Sequence, residues 1–197
     1  MVEIVLVRHA STAWSGRCYC GRSDPPLSSA GRAEAAALAA DLAPSLAPGT
    51  RIISSPLRHA VATAEAIAAA GGSLPIELDE RWQEIDFGFA EGRTFEELET
   101  IAPTTAAALL AGATDIDWPG GETSSSLAAR VAAAWGELVA ARRPAVVVTH
   151  AGPILHALAL AEERPLDASR LPTPATVARV TVAVPRASGA PVLPSRA

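Results

Sequence analysis

Arginine and histidine occupy positions 8 and 9, directly after an apolar run at 2–7 broken only by Glu3. The run 145–149 ends in His150, and a third run, 51–54, leads through Ser55 and Pro56 to Arg58. Short runs that are apolar throughout read as strands buried on both faces. In open α/β sheets the carboxyl ends of strands form the ligand cleft. Two arginines and two histidines gathered there suit an anion. A guanidinium fork matches phosphate oxygens, and helix N-termini add N–H groups and positive potential. Imidazole adds a nucleophile when neutral and a donor when protonated. The economical chemistry is a phosphoryl group attacked by one of the two histidines, His9 or His150, its oxygens held by Arg8, Arg58 and the other histidine. The leaving oxygen then needs a proton. The irregular stretch 81–92 holds Glu84, Asp86 and Glu91. Glu84 leads as proton donor and, later, as general base for water.

The elements that must position these groups follow from pattern. Ser28 or Ser29 caps an Ala-rich helix to about residue 42. Ser55-Pro56 reads as an N-cap and first helical residue, opening a helix to about 70 with Ala60, Ala64 and Ile67 on one face. Gly71-Gly72 stops it. A short strand is expected at 75–78. Thr94 to Glu97 fits a capping box, with helix to about 110 broken near Pro103. Leu127, Val131, Trp135 and Leu138 recur at helical spacing over 125–141. Gly152 turns the 145–149 strand into a helix to about 161, and a last strand covers 175–184. This alternation argues for an α/β fold with a mostly parallel sheet covered on both faces. One domain over 1–185 with a flexible tail at 186–197 suits the length. His59 and His156 lie inside helices and read as surface or packing residues. Trp82 and Trp135 read as core or pocket wall, and Glu122 as a cap for the helix that follows.

Composition narrows the class. The chain has 197 residues, 49% of them hydrophobic and 4% aromatic, with a net charge of -5. It contains neither lysine nor asparagine, so an anion site must use Arg, His or backbone N–H. No basic face suggests nucleic acid. The uncharged run 144–161 contains two histidines, Gly152 and Pro153. Strand, turn and helix explain it better than a membrane span. The start lacks a secretory pattern. Cys18 and Cys20 form a C-x-C pair without a second pair for zinc, which reads as free thiols in a reducing cytoplasm.

Six blocks then occur in order: LVRHAST, DPPLSSAGRAEA, SSPLRHAVATAEAI, RWQEIDFGFAEG, PGGET and VVVTHAG. In this they resemble the histidine phosphatase, or phosphoglycerate mutase-like, superfamily over residues 4–156. The resemblance implies His9 as the phosphorylated nucleophile and Arg8, Arg58 and His150 around the phosphoryl group. It implies Glu84 as the acid, a reaction with no metal and no cofactor, and a three-layer α/β/α sandwich with a mostly parallel (mixed) central sheet. Ala10-Ser11 stands where the family has Gly-Glu, Ser15 where it often has Asn beside the phosphate, and Ala90 where it commonly has Trp. The stretch 16–27, with Cys20, Gly21 and Arg22, resembles the substrate loop of alpha-ribazole phosphatases, enzymes of cobalamin assembly, with one extra Cys. The substrate expected is therefore a small phosphorylated metabolite, with a homodimer open as the assembly. A cofactor-dependent phosphoglycerate mutase, a broad-specificity phosphatase and a non-catalytic phospho-ligand-binding relative are the alternatives. The stretch 112–121 offers little lid material, which favours a phosphatase over a mutase.

Overall fold

The computed structural model describes residues 1–116 and 118–182. Its sheet has five strands: β1 (Val2–Arg8), β2 (Arg51–Ser54), β3 (Ile76–Leu78), β4 (Ala145–Thr149) and β5 (Val177–Val182). Their order is β3-β2-β4-β1-β5. The first four are mutually parallel, and β5 lies antiparallel on β1 with Val2 opposite Val182. This is the mostly parallel sheet expected from the pattern, mixed as the resemblance implies. The last strand begins at Val177, two residues later than expected, because Ala175 takes a left-handed turn at φ 55°. The proposed tail at 186–197 lies outside the described residues.

Side chains on a strand alternate between faces, and here both faces are covered. Val5 and Val7 on β1 join Ile52 and Val146 beneath two helices, α1 (Ser29–Leu42) and α2 (Arg58–Ala70). Ile4 and Leu6 join Ile53 and Val147 on the opposite face. That face is covered by α3 (Phe95–Ile101), α4 (Pro103–Leu110), α5 (Ser124–Ala141) and α6 (Ala151–Glu162). This double coverage explains why residues 4–7 of β1 and 145–148 of β4 are continuously apolar; all five residues of β4 are buried. Among the described residues no helix is long and apolar enough to cross a membrane.

Helix ends follow local chemistry. Ser28 Oγ accepts from the N–H of Gly31 to cap α1, and Thr94 with Glu97 closes a capping box on α3. The start of α2 departs from expectation. Leu57 is its N-cap and contributes no side-chain cap bond; the first turn is held by Asp24, whose Oδ1 accepts from the N–H of Arg58 at 2.6 Å. Ser55 lies before the helix begins: its hydroxyl accepts from the N–H of Leu57 at 3.4 Å and stands 2.8 Å from His150 Nε2.

Candidate active site

Strands β2, β4 and β1 are neighbours, so their carboxyl ends meet. Arg8 ends β1, His9 follows it, and His150 stands at the N-cap of α6 directly after β4. The rings of His9 and His150 lie 4.9 Å apart, centroid to centroid. His9 and Arg8 open onto a cavity of about 520 Å³, also lined by Glu84, Ser15, Cys20 and Gly152. His150 is only 1% exposed and packs behind His9 rather than in the cavity wall.

The environment of His9 fixes its tautomer. Its Nδ1 lies 2.8 Å from the carbonyl oxygen of Ala10. A carbonyl only accepts, so Nδ1 carries the hydrogen and Nε2 keeps a lone pair. Burial and the neighbouring His59 push the His9 pKa down to about 3, against the pull of the Ala10 carbonyl. The ring is therefore a neutral nucleophile at ordinary pH. His150 is also held well below the usual histidine range, first by burial and then by His9.

The structure distinguishes the three carboxylates of the 81–92 stretch. Glu91 accepts from the N–H groups of Gly21, Arg22, Ser23 and Phe87 and from the Ser23 hydroxyl. It anchors the 20–23 loop. Asp86 accepts from Gly88 N–H at 2.8 Å and shapes a turn. Glu84 reaches the cavity and receives the N–H of Gly152 at 3.1 and 3.2 Å, two residues beyond His150. Burial raises its pKa, opposed by the N–H groups of Ile85 and Gly152 and by Arg8. A carboxyl whose protonated form is favoured by burial is suited to donate to a leaving oxygen. Gly152 is required here: a Cβ would stand 2.4 Å from Glu84 Oε1.

Other expected residues are distributed differently. Arg58 is exposed and does not line the cavity. Its neighbour His59 is fully buried instead, 4.3 Å from the His9 ring and 5.3 Å from that of His150. Within α2, Arg58 falls on the exposed face and His59, about 100° away, on the buried one. Sequence reasoning passed over it, although His59, Thr63 and Ile67 form a buried i, i+4, i+8 stripe. Thr63 Oγ1 accepts from the N–H of Ala10 and donates to the His59 carbonyl, tying α2 to the His9 loop. Gly21 and Arg22 are also absent from the cavity wall. Gly21 packs so closely under the 84–91 stretch that a Cβ would meet the Ile85 carbonyl at 2.0 Å. Arg22 turns to Glu122 at 3.5 Å. Cys20 does line the cavity, its thiol pushed up to about 12 chiefly by burial. Ser15 lines it too, its hydroxyl accepting from Thr12 N–H at 3.0 Å.

Glu122 does not cap α5, since Thr123 does. It grips Arg130 through two bonds of 2.7 and 2.8 Å. Arg130 in turn donates to the carbonyls of Arg81, Gln83 and Glu84. This pair, which the sequence reading missed, holds the backbone that carries Glu84. Residues 109–116, together with Trp118, contribute one cavity wall, with Leu109, Ile116 and Trp118 facing in. Tyr19, Phe87 and Trp118 pack edge-on beside it at 4.6 to 5.3 Å.

Three buried nitrogens around His9 lack a hydrogen-bond partner among the described residues: Arg8 Nε, His59 Nε2 and His150 Nδ1. Buried polar atoms are rarely left unpaired in folded proteins, so this cluster is built to receive something. Arg8 is oriented by a bond from Nη1 to the Pro172 carbonyl.

Comparison with known proteins fits this arrangement. The model of the histidine phosphatase superfamily, branch 1, matches residues 4–192. The probable phosphoglycerate mutase GpmB of Salmonella paratyphi C is 38% identical over 151 residues, 75% of this chain and 69% of that protein. The phosphoglycerate mutase-like protein 4 of Arabidopsis thaliana is 35% identical over 156 residues, 77% of this chain and 67% of its own length. Among solved structures, a mycobacterial glucosyl-3-phosphoglycerate phosphatase complexed with VO3 superposes with a TM-score of 0.80. It is 29% identical and covers 92% of this chain and 91% of its own. The chain belongs to the histidine phosphatase superfamily and is an enzyme of phosphatase type.

Proposed function

We propose that this protein hydrolyses a phosphomonoester through a phosphohistidine formed at His9. The observation that carries the reading is a neutral imidazole with a free Nε2, beside unpartnered buried nitrogens and one buried carboxyl at the end of the same cavity. The lone pair of His9 Nε2 attacks phosphorus as the ester P–O bond breaks. The leaving oxygen takes the proton of Glu84. Glu84, now a carboxylate, removes a proton from water as its oxygen attacks phosphorus. The N–P bond breaks, inorganic phosphate leaves, and Glu84 is again protonated. Arg8 Nε and His150 Nδ1 are the donors assigned to the phosphoryl oxygens. His150 can supply that hydrogen while Nε2 accepts from the Ser55 hydroxyl. Arg58 is exposed and receives no phosphoryl contact in this reading, while His59 occupies the buried position beside His9 without acting as a donor.

For the substrate, the reading is a small phosphorylated metabolite whose alcohol carries an apolar ring. Tyr19, Phe87, Leu109, Ile116 and Trp118 supply an apolar wall, and pockets of this size bury most of a drug-sized ligand. Alpha-ribazole 5'-phosphate meets that description and agrees with the loop that contains Cys20. Two free cysteines agree with a cytoplasmic setting. The test is acid-quench trapping of phosphoenzyme combined with a substrate panel. The panel comprises alpha-ribazole phosphate, sugar phosphates, glucosyl-3-phosphoglycerate, nitrophenyl phosphate and 3-phosphoglycerate with and without bisphosphoglycerate. Highest kcat/KM on alpha-ribazole phosphate is the expected result. Preference for a sugar phosphate replaces the substrate but keeps the mechanism. Isomerisation of 3-phosphoglycerate without net hydrolysis makes the protein a mutase.

A further inference from the structure

The three buried histidines have a second capability. One ring nitrogen from each of His9, His59 and His150 lies within 4.8 Å of the others. Each ring also has a partner on its other side. His9 Nδ1 faces the Ala10 carbonyl at 2.8 Å and His59 Nδ1 faces the Pro25 carbonyl at 3.0 Å. Carbonyls only accept, so in each uncharged ring Nδ1 holds the hydrogen and Nε2 presents a lone pair. Histidines that bind metals show the same arrangement, with one ring nitrogen free and the other donating to a carbonyl or carboxylate. The third ring can match them. His150 Nε2 lies 2.8 Å from Ser55 Oγ, a hydroxyl that can accept as well as donate, which leaves Nδ1 with a lone pair. His59 Nε2 and His150 Nδ1 have no partner among the described residues. A lone pair at His59 repels a phosphoryl oxygen but attracts a cation.

We infer that His9, His59 and His150 form a binding site for one divalent transition-metal ion of the zinc class, and that the bound ion excludes the phosphoryl group. Three imidazoles plus one open position is a recurrent zinc arrangement. The open position would face the cavity, since His9 lines it. Tetrahedral binding at about 2.0–2.1 Å sets the nitrogens about 3.4 Å apart, so the rings must close by about 1.4 Å at most. His9 and His150 sit at strand ends and His59 in a first helical turn, where side-chain rotation can supply this. The nearby charges are Arg8, Arg130 and Glu84, together with Asp24, whose carboxylate lies 3.9 Å from His59 Nδ1. The ion is an inhibitor, because it occupies the lone pair of His9 that the reaction needs. Only this inhibitory consequence rests on the phosphohistidine reading; the metal site does not.

The test uses the full chain stripped of metal and titrated with Co²⁺, and with Zn²⁺ against a competing indicator. The expected result is one equivalent bound, with the strong visible absorption of four-coordinate cobalt. Vanadate should displace the cobalt, because both ligands need the same atoms. His59→Gln should weaken binding by more than about 100-fold without altering the far-UV circular dichroism. If that variant fails to fold, vanadate competition in the wild-type chain still locates the ion. Zn²⁺ should inhibit nitrophenyl phosphate hydrolysis competitively with phosphate, and a chelator should restore the rate. Six-coordinate cobalt spectra, or uptake unaffected by both vanadate and His59→Gln, would place the ion on surface carboxylates and overturn the proposal. A chain that hydrolyses no phosphate ester yet binds cobalt at these histidines would refute the proposed function and leave the metal site standing.

Discussion

Gly152→Ala tests the acid without touching it. The new Cβ would lie 2.4 Å from Glu84 Oε1, whereas ordinary contact begins near 3.4 Å, so the carboxyl must retreat by about 1 Å. Leu127 Cδ2, 3.5 Å away on another side, limits any sideways escape. The retreat also weakens the two bonds from the Gly152 N–H to the carboxyl, now 3.1 and 3.2 Å. A misplacement of about 1 Å can cost about 100-fold in rate, equivalent to about 2.7 kcal/mol in the barrier. General acid catalysis is worth about 10²–10⁴ overall, so this loss lies within what Glu84 can supply. The expected outcome is a fall of about 100-fold in kcat/KM for an alkyl phosphate, whose leaving oxygen needs the proton. For nitrophenyl phosphate, whose leaving group departs as a stable anion, the fall should be under about fivefold. Folding should survive, because Ala is favoured over Gly in a helix by about 1 kcal/mol, against about 1–3 kcal/mol for the weakened buried bonds. Parallel kinetics on the two substrates, with thermal melts of both proteins, decide the matter. Equal losses on both substrates, or full activity on the alkyl phosphate, would show that Glu84 is not the acid.

Three further outcomes are expected. His9→Ala should abolish both turnover and phosphoenzyme trapping while the protein still melts cooperatively; turnover retained in that variant would remove His9 as nucleophile. Arg130→Met should cost about 3 kcal/mol in urea unfolding, because it removes the two short bonds to the Glu122 carboxylate and takes the guanidinium donor from three backbone carbonyls. Its activity should fall as well, since the backbone at Glu84 loses its support, and an unchanged denaturation midpoint would refute this. The pH dependence of stability carries a defined sign. His9 titrates near 6.5 unfolded and about 3 folded, so the unfolded chain binds the extra proton between those values. Its contribution is therefore intact above about pH 6.5 and is lost as pH falls toward 3, about 1.4 kcal/mol at pH 5.5. Glu84, raised in the folded state, acts in the opposite direction and loses stability as pH rises. Urea melts in chelator from pH 7 to 5 should show net weakening that shrinks in His9→Gln; a slope unaffected by that change would refute the buried-neutral assignment.

The sequence alone determined the chemistry and the frame. Three apolar runs, at 2–7, 51–54 and 145–149, each followed by polar residues, were enough for a doubly covered sheet with Arg and His at its tips. Arg8, His9 and His150 could be named because a strand's end is where its last apolar residue falls. The ordered blocks identified the family, which composition could not have done. Glu84 was separable from Asp86 and Glu91 only by resemblance, since all three carboxylates share one aperiodic stretch. The tertiary structure separates them physically: Glu91 is consumed by four N–H groups and a hydroxyl, Asp86 by a turn.

The exchange of Arg58 for His59 shows where local pattern stops. Each residue advances a helix by about 100°, so adjacent residues such as Arg58 and His59 point in different directions, and only packing decides which of them is buried. The first turn is held by Asp24, 34 positions earlier in the chain, and the serine before it reaches His150, 95 positions later. The same holds for Gly152, read locally as a turn but needed for the space that Glu84 fills, and for Glu122, drawn from its expected cap to Arg130. Periodicity along a chain reports burial of an element against its neighbours. Which atoms meet across 70 or 100 residues depends on how close the packed elements come, and only the folded molecule fixes that.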